Sequence, residues 1–206
     1  PGADMSSTTH KYSRIIKEAA SRHGFMGAGI ARAEHMDEEA ARLEQWLCEG
    51  HHGEMAYMAN HFDMRVDPTK LVPGAKSVIS LVYNYYPGER EAKAEAKAKE
   101  GLLLTTHNSQ LTKTSSDAAK QPEEENFKIS RYAYGEDYHI VVRRKLKALV
   151  TVLKKEIGDF NARVFVDSAP VLERDWAKRS GQGWIGKNTL LIHPKKGSYF
   201  FLAEII

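Results

Sequence analysis

Three stretches of the chain carry side chains suited to chemistry. In VFVDSAPVLERDW (164–176) an apolar, β-branched run ends on a lone carboxylate, Asp167, followed at once by Ser168, Ala169 and Pro170. The carboxyl end of a strand is where open sheets place reactive groups, because the loops there line the crevice. A phospho-acceptor aspartate needs further acids to hold a magnesium ion, and none cluster beside it in the sequence. A general acid needs only a carboxyl shielded from water, which keeps its proton to higher pH; Phe165, Val166, Ala169 and Pro170 are apolar enough to shield it. A plain N-cap for a helix over Leu172–Lys178 is the structural alternative, and the residues alone leave it open.

The second stretch, GWIGKN (183–188), gathers glycine backbone, Lys187 and Asn188 within six residues. Exposed N–H groups beside a cation suit a phosphate or the amide rim of a large cofactor, while a tight turn between two elements needs the same glycines. The third, RYAYGEDYH (131–139), interleaves aromatics with charge ahead of a basic run, a pattern suited to nucleobases and phosphates. His139 adds an imidazole able to move a proton or ligate a metal. The bland reading is an exposed helix start capped by Asp137. His51, His52 and His61 fall in a polar connecting segment and read as surface residues, with no second cluster of metal ligands.

The elements that must position these residues follow from periodicity. Apolar residues at helical spacing predict helices over 11–23, stopped at Gly24, and from Glu38 to Gly50. A third runs through Val142, Leu146, Leu149, Leu153 and Ile157 and ends at Gly158. β-Branched and aromatic runs predict strands at FMGAGIARA, SVISLVYNYY (77–86), RVFVD, TLLIHP and YFFLAEII. Gly24, Gly27 and Gly29 precede or interrupt the first strand, so they do not form a dinucleotide loop, which follows one. The mixture argues an α+β fold, an α/β sandwich in which helices flank a mixed central sheet. Residues 88–126, rich in Ala, Lys, Glu, Ser, Thr and Gln, read as an insertion with a helix-forming EAKAEAKAKE piece. Pro1–Asp4 precede Met5 and read as a remnant outside the fold.

Hydrophobic residues make up 42% of the 206, enough for one sizeable core, and the net charge of +3 permits a polyanionic partner without demanding one. Cys48 is the single cysteine, so neither an internal disulfide nor a cysteine-ligated cluster can be built from this chain. Without an apolar run of about 18 residues or a signal pattern, the expectation is a soluble, cytoplasmic protein.

Taken in order, MRVDPTKLVPGAKSVISLVYNYYP, RYAYGEDYH, VDSAPVLERDWAKRSGQGWIGKNTLLI and GSYFFLAEII resemble the N-terminal part of epoxyqueuosine reductases. The resemblance runs from about residue 11 to the C-terminus, apart from 88–126. It implies a cobalamin-dependent, iron–sulfur oxidoreductase that removes the epoxide oxygen of epoxyqueuosine at the tRNA wobble position, giving queuosine. It implies Asp167 as the catalytic acid, also beside the cofactor. Cobalamin contacts are implied at Arg65, Ser130, Lys187, Asn188, Thr189 and Leu190, and contacts to the modified base at Asp137, Tyr138 and His139. No side chain is implied to bind a metal directly, since cobalt arrives inside cobalamin. Family members continue into a ferredoxin-like domain with two four-iron–four-sulfur clusters, often followed by helical repeats that bind tRNA. The chain is therefore expected to be the single cobalamin-binding catalytic domain, 1–206, with clusters and electron donor belonging to the intact enzyme. Two alternatives stand beside it: a non-enzymatic cobalamin- or RNA-binding module, and another corrinoid-dependent reductase of dehalogenase type.

Overall fold

The computed structural model describes residues 5–86, 130–133 and 135–206. The chain forms two compact units, one of residues 1–85 and 135–206, the other of residues 86–134. The stretch read as an insertion, 88–126, lies outside the described residues. In the first unit the order is α1 (Met5–Arg22), β1 (Gly27–Arg32), α2 (Asp37–Cys48), α3 (Phe62–Val66), α4 (Pro68–Leu71) and β2 (Ser77–Asn84). Then come α5 (Tyr138–Ile157), β3 (Val164–Phe165), α6 (Glu173–Arg179), β4 (Trp184–Ile185), β5 (Leu191–Ile192) and β6 (Phe200–Ile205). α1 begins six residues before the expected position 11, and Gly24, at φ +82°, turns the chain out of it.

Four strands form the main sheet in the order β1-β2-β6-β3, and β4 pairs with β5 in a separate ribbon. The α+β class holds. Among the described residues every strand pairing within it is antiparallel, where a mixed sheet was expected. β2 is buried without interruption from Val78 to Val82, which explains its β-branched run: it lies inside the sheet with both faces covered. On one face, Leu81, Ala203 and Ile205 meet α5, whose Val142, Leu146, Leu149 and Leu153 are fully buried at helical spacing. On the other face, Trp176 of α6 packs with Met36, Val78 and Phe165. Asp137 caps α5 by accepting the His139 N–H at 2.9 Å, and Gly158 ends the helix at φ +111°.

The glycines of β1 serve packing. A Cβ on Gly29 would lie 2.4 Å from the Ser180 carbonyl oxygen, and one on Gly27 would lie 2.5 Å from Gln182 Oε1. Only hydrogen at these positions lets the segment after α6 settle on the strand. Gln182 then spans it, donating from Nε2 to the Ser80 carbonyl at 3.2 Å. Gly29→Ala should therefore overpack a backbone contact and cost ~1–3 kcal/mol. Urea unfolding will show this as a lower midpoint at unchanged slope, and an unchanged midpoint would refute the packing role.

Candidate active site

Asp167 lies two residues past the end of β3 and has φ +56°, a conformation uncommon for residues other than glycine. The Ser168 N–H bonds back to the Val166 carbonyl at 2.6 Å, so Asp167 is the centre of a three-residue γ-turn in its strained form. The turn puts the side chain outside both cores. Phe165 and Val166 are buried, but the Asp167 side chain is 60% exposed, so the expected shielding by apolar neighbours is not what the fold provides. Nor is Asp167 a helix cap. α6 starts at Glu173 behind Leu172, with no side-chain cap.

Polar groups take the place of that shield. The Tyr138 hydroxyl donates to Asp167 Oδ2 at 2.5 Å, and His139 Nε2 lies 3.4 Å from the same oxygen. The other imidazole nitrogen, Nδ1, is 2.9 Å from Asp137 Oδ1. Asp137 thus caps α5 and orients the His139 ring. The backbone and ring hydrogen bonds from His139 hold the Asp137 carboxyl below its usual range. Tyr138 stacks on Phe201, with centroids 3.9 Å apart and planes 4° from parallel. Burial first, and then the bond to Asp167, push its phenol above the ordinary value, so it remains a neutral donor.

Behind Asp167 stand two acids that the sequence reading missed. Glu173 Oε1 accepts the Asp167 backbone N–H at 2.8 Å. Burial chiefly pushes this carboxyl up to about 7, against the lowering effect of that hydrogen bond. Glu204 of β6 is fully buried, neither carboxylate oxygen has a partner, and its strand neighbour Ser80 carries an equally unpartnered hydroxyl. Burial, reinforced by Glu173, raises Glu204 well above the carboxylate range, so it is a neutral acid at ordinary pH. The LER of VDSAPVLER offered a signal for Glu173; Glu204 gave none, because it occupies an apolar strand.

Tyr138, Asp167 and Glu173 border a cavity of about 780 Å³. Its wall includes Ala169, Leu172, Leu190, Phe200 and Leu202, and its polar lining includes Arg65, Tyr138, Asp167 and Glu173. Arg65 projects from α3, donating from Nε to the Asn60 carbonyl and from Nη2 to the Tyr57 carbonyl, each at 3.2 Å. Those carbonyls come from a 3-10 turn over Ala56–Met58 and the bend after it, where His61 takes φ +57°. The GWIGKN stretch forms β4 and the turn of the hairpin. Gly186 donates to the Leu190 carbonyl at 2.8 Å, and Asn188 Oδ1 accepts the Leu190 N–H at 3.3 Å.

Of the expected site residues, Arg65, Tyr138, Asp167 and Leu190 meet at the cavity, with His139 and Asp137 beside them. Lys187, Asn188 and Thr189 are exposed at the hairpin tip, outside the lining. The tip is tied to the cavity rim by Arg174, which donates from Nη1 to the Thr189 carbonyl. Ser130 belongs to the second unit, where its carbonyl accepts the Ala133 N–H at 3.0 Å. Among the described residues no three His, Cys, Asp or Glu side chains are grouped to hold a metal ion.

Fold and site together define an α+β domain presenting a strained aspartate, a tyrosine and an imidazole at the edge of a large, partly apolar cavity. The family model described as epoxyqueuosine reductase QueG, DUF1730, matches residues 65–168, about half of the chain and a span from Arg65 to just past Asp167. The chain belongs to this family. It is 50% identical over 200 residues to an epoxyqueuosine reductase of Cyclobacterium marinum, a match covering 97% of this chain and 55% of the relative. The crystal structure of an epoxyqueuosine reductase with an epoxyqueuosine-modified tRNA-Tyr stem loop is similar at TM-score 0.71 and 26% identity, over 95% of this chain and 45% of that one. The Bacillus subtilis epoxyqueuosine reductase, with its catalytic loop swung out of the active site, is similar at TM-score 0.68 and 26% identity, over 96% and 45%. The chain thus spans about half the length of the relatives it matches.

The neutral Glu204 makes folding pH-dependent. Its carboxyl rises on folding from the ordinary 4.5, so the folded chain keeps a proton there that the unfolded chain has lost. The associated stability is fully present below 4.5 and drains away as pH climbs through the folded value, by up to ~1.4 kcal/mol per pH unit. Glu204→Gln carries no such proton. Unfolding curves near pH 5 and near pH 8 should show E204Q gaining stability relative to the native chain as pH rises. A difference independent of pH would mean that Glu204 is not buried as a neutral acid.

Proposed function

We propose that this chain carries the catalytic site for cobalamin-dependent reduction of epoxyqueuosine to queuosine in tRNA. The observation that carries the proposal is the Tyr138–Asp167–His139 cluster at the rim of the cavity, inside the span matched by the family model. The tRNA stem loop bound by a structural relative supports a tRNA substrate. Among the described residues no helix is long and apolar enough to cross a membrane.

The chemistry is balanced by two electrons and two protons per epoxide. Both carbon–oxygen bonds break, a carbon–carbon double bond forms, and the oxygen departs as water. Asp167 is the group placed to protonate the departing oxygen, because its carboxyl reaches out of a strained turn into the cavity instead of into a core. Tyr138 and His139 fix the direction of that carboxyl, and with Asp137 they would lie beside the base that carries the epoxide. An aromatic stack on Phe201 and the bond to Asp137 hold the two rings still.

The donor set fits a corrin. The cavity has a broad apolar wall for a flat macrocycle and, in Arg65, a cation fixed by two backbone carbonyls for its polar rim. Lys187, Asn188, Thr189 and Leu190 would meet that rim from the hairpin. When bound, cobalamin supplies the low-potential metal centre that delivers electrons to the epoxide. With Cys48 as the only cysteine, the iron–sulfur clusters implied for this family would be held outside these 206 residues. The Bacillus subtilis enzyme with its catalytic loop swung out supports reading the turn at Asp167 as the corresponding movable loop.

Titrating the chain with cobalamin should shift the corrin's visible spectrum, and Arg65→Ala should weaken binding. A flat titration of folded protein would remove the cofactor assignment. In a reductase containing these residues, Asp167→Asn should lower turnover roughly 10²–10⁴-fold, the usual loss on removing a general acid, while cobalamin still binds. Near-normal turnover would strip Asp167 of that role.

A further inference from the structure

Asp167 is an exposed residue in a strained conformation, so packing does not hold it in place. Its carboxyl is held by Tyr138 and His139, but these bonds restrain only the side chain. The backbone is what carries the strain, at φ +56°, and strained residues persist only where surrounding contacts over-determine them. The contact that reaches the Asp167 backbone from outside the turn is the 2.8 Å hydrogen bond from its N–H to Glu173 Oε1.

Glu173 is well built for that task. It is the first residue of α6, and Trp176 and Ala177 of the same helix are buried against the sheet, so its backbone is anchored. Its side chain lines the same cavity as Asp167. The charged and titratable groups around it are Asp167 in the turn, Tyr138 and His139 on α5, Arg174 beside it on α6 and Glu204 on β6. Glu204 has no hydrogen-bond partner and stays protonated, so it puts no second charge next to Glu173.

We propose that Glu173 is a positioning residue for the reaction: its carboxylate latches the Asp167 amide and keeps the turn in the conformation that presents the Asp167 carboxyl to the cavity. This deepens the assignment of Asp167 as the acid and rests on it for its catalytic meaning, but the latch itself is a matter of one hydrogen bond. With Glu173 pushed up to about 7, the acceptor is charged above that pH and neutral below it. A charged acceptor makes the stronger bond, so the latch tightens as pH rises through about 7.

The test is site-resolved amide hydrogen exchange of the 206-residue chain. Glu173→Ala should speed exchange of the Asp167 amide by about tenfold or more, the loss of one charge-assisted hydrogen bond, while amides of Leu81 and Leu149 stay protected. Glu173→Gln keeps an acceptor oxygen of the same shape. It should restore most of the protection and abolish the step near neutral pH that the native chain shows once intrinsic exchange is corrected for. In a reductase containing these residues, Glu173→Ala should lower kcat at unchanged KM for tRNA and unchanged cobalamin binding, with rescue by Gln. Equal Asp167 exchange in the native chain and both variants would overturn the latch. Loss of protection throughout the core in the isosteric E173Q would also overturn it, by assigning Glu173 to folding. Normal turnover of Asp167→Asn alongside fast exchange in Glu173→Ala would instead retire the acid assignment and leave the latch standing.

Discussion

β3 pairs with β6 over only two residues, Val164 with Ile205 and Phe165 with Glu204, although β6 runs on to Phe200. The ladder stops because Val166 and Ser168 close a γ-turn around Asp167, whose positive φ takes the chain out of the sheet. Beyond Phe165 no strand pairs with that edge of β6 among the described residues. Phe200, Phe201 and Leu202 therefore become cavity wall where they would otherwise be covered by a longer β3. One backbone dihedral thus opens the cavity and delivers the acid to its rim. The β2–β6 pairing makes this possible, since it holds β6 from the other side over six residue pairs and spares it from depending on β3.

The electrostatics of the site run against folding stability. Asp167, Glu173 and Glu204 gather around the end of one short strand, and burial raises the carboxyls of Glu173 and Glu204. A neutral buried acid with two unsatisfied oxygens is among the less favourable things a sheet can contain, and a leucine there would pack better. Such a cost is characteristic of sites where local rules yield to chemistry. Tyr138 serves the exposed acid of the three. Held neutral and stacked on Phe201, it offers Asp167 a donor that never itself ionises in the working pH range.

Periodicity made much of the frame legible. The α5 pattern from Val142 to Ile157, its stop at Gly158 and its cap at Asp137 are local features, set by residues within a turn of one another. Asp167 at the end of a strand was legible for the same reason, as a carboxylate breaking a β-branched run. The shielding expected for it was not, because sequence neighbours predict surroundings only where the backbone stays regular. Here the positive φ turns Asp167 away from Phe165 and Val166 and toward Tyr138, 29 residues earlier. Arg65 could be placed by resemblance, yet its two carbonyl partners depend on the His61 backbone, which no residue type announces.

Glu204 marks the limit of pattern reading most sharply. In YFFLAEII an isolated acid in a strand normally faces solvent, since half-buried strands alternate apolar with polar. That inference fails because both faces of this sheet are covered, one by α1 and α5 and the other by α6, so no outward side exists in mid-strand. What covers the second face depends on Gly27 and Gly29, whose missing side chains let Ser180 and Gln182 close over β1 and reach Ser80. The burial of Glu204 is thus decided some 175 residues away in sequence, at glycines whose spacing superficially suggests a nucleotide loop. A residue's role at the site then follows from layer architecture, and strand patterns become informative about chemistry only once the number of covered faces is known.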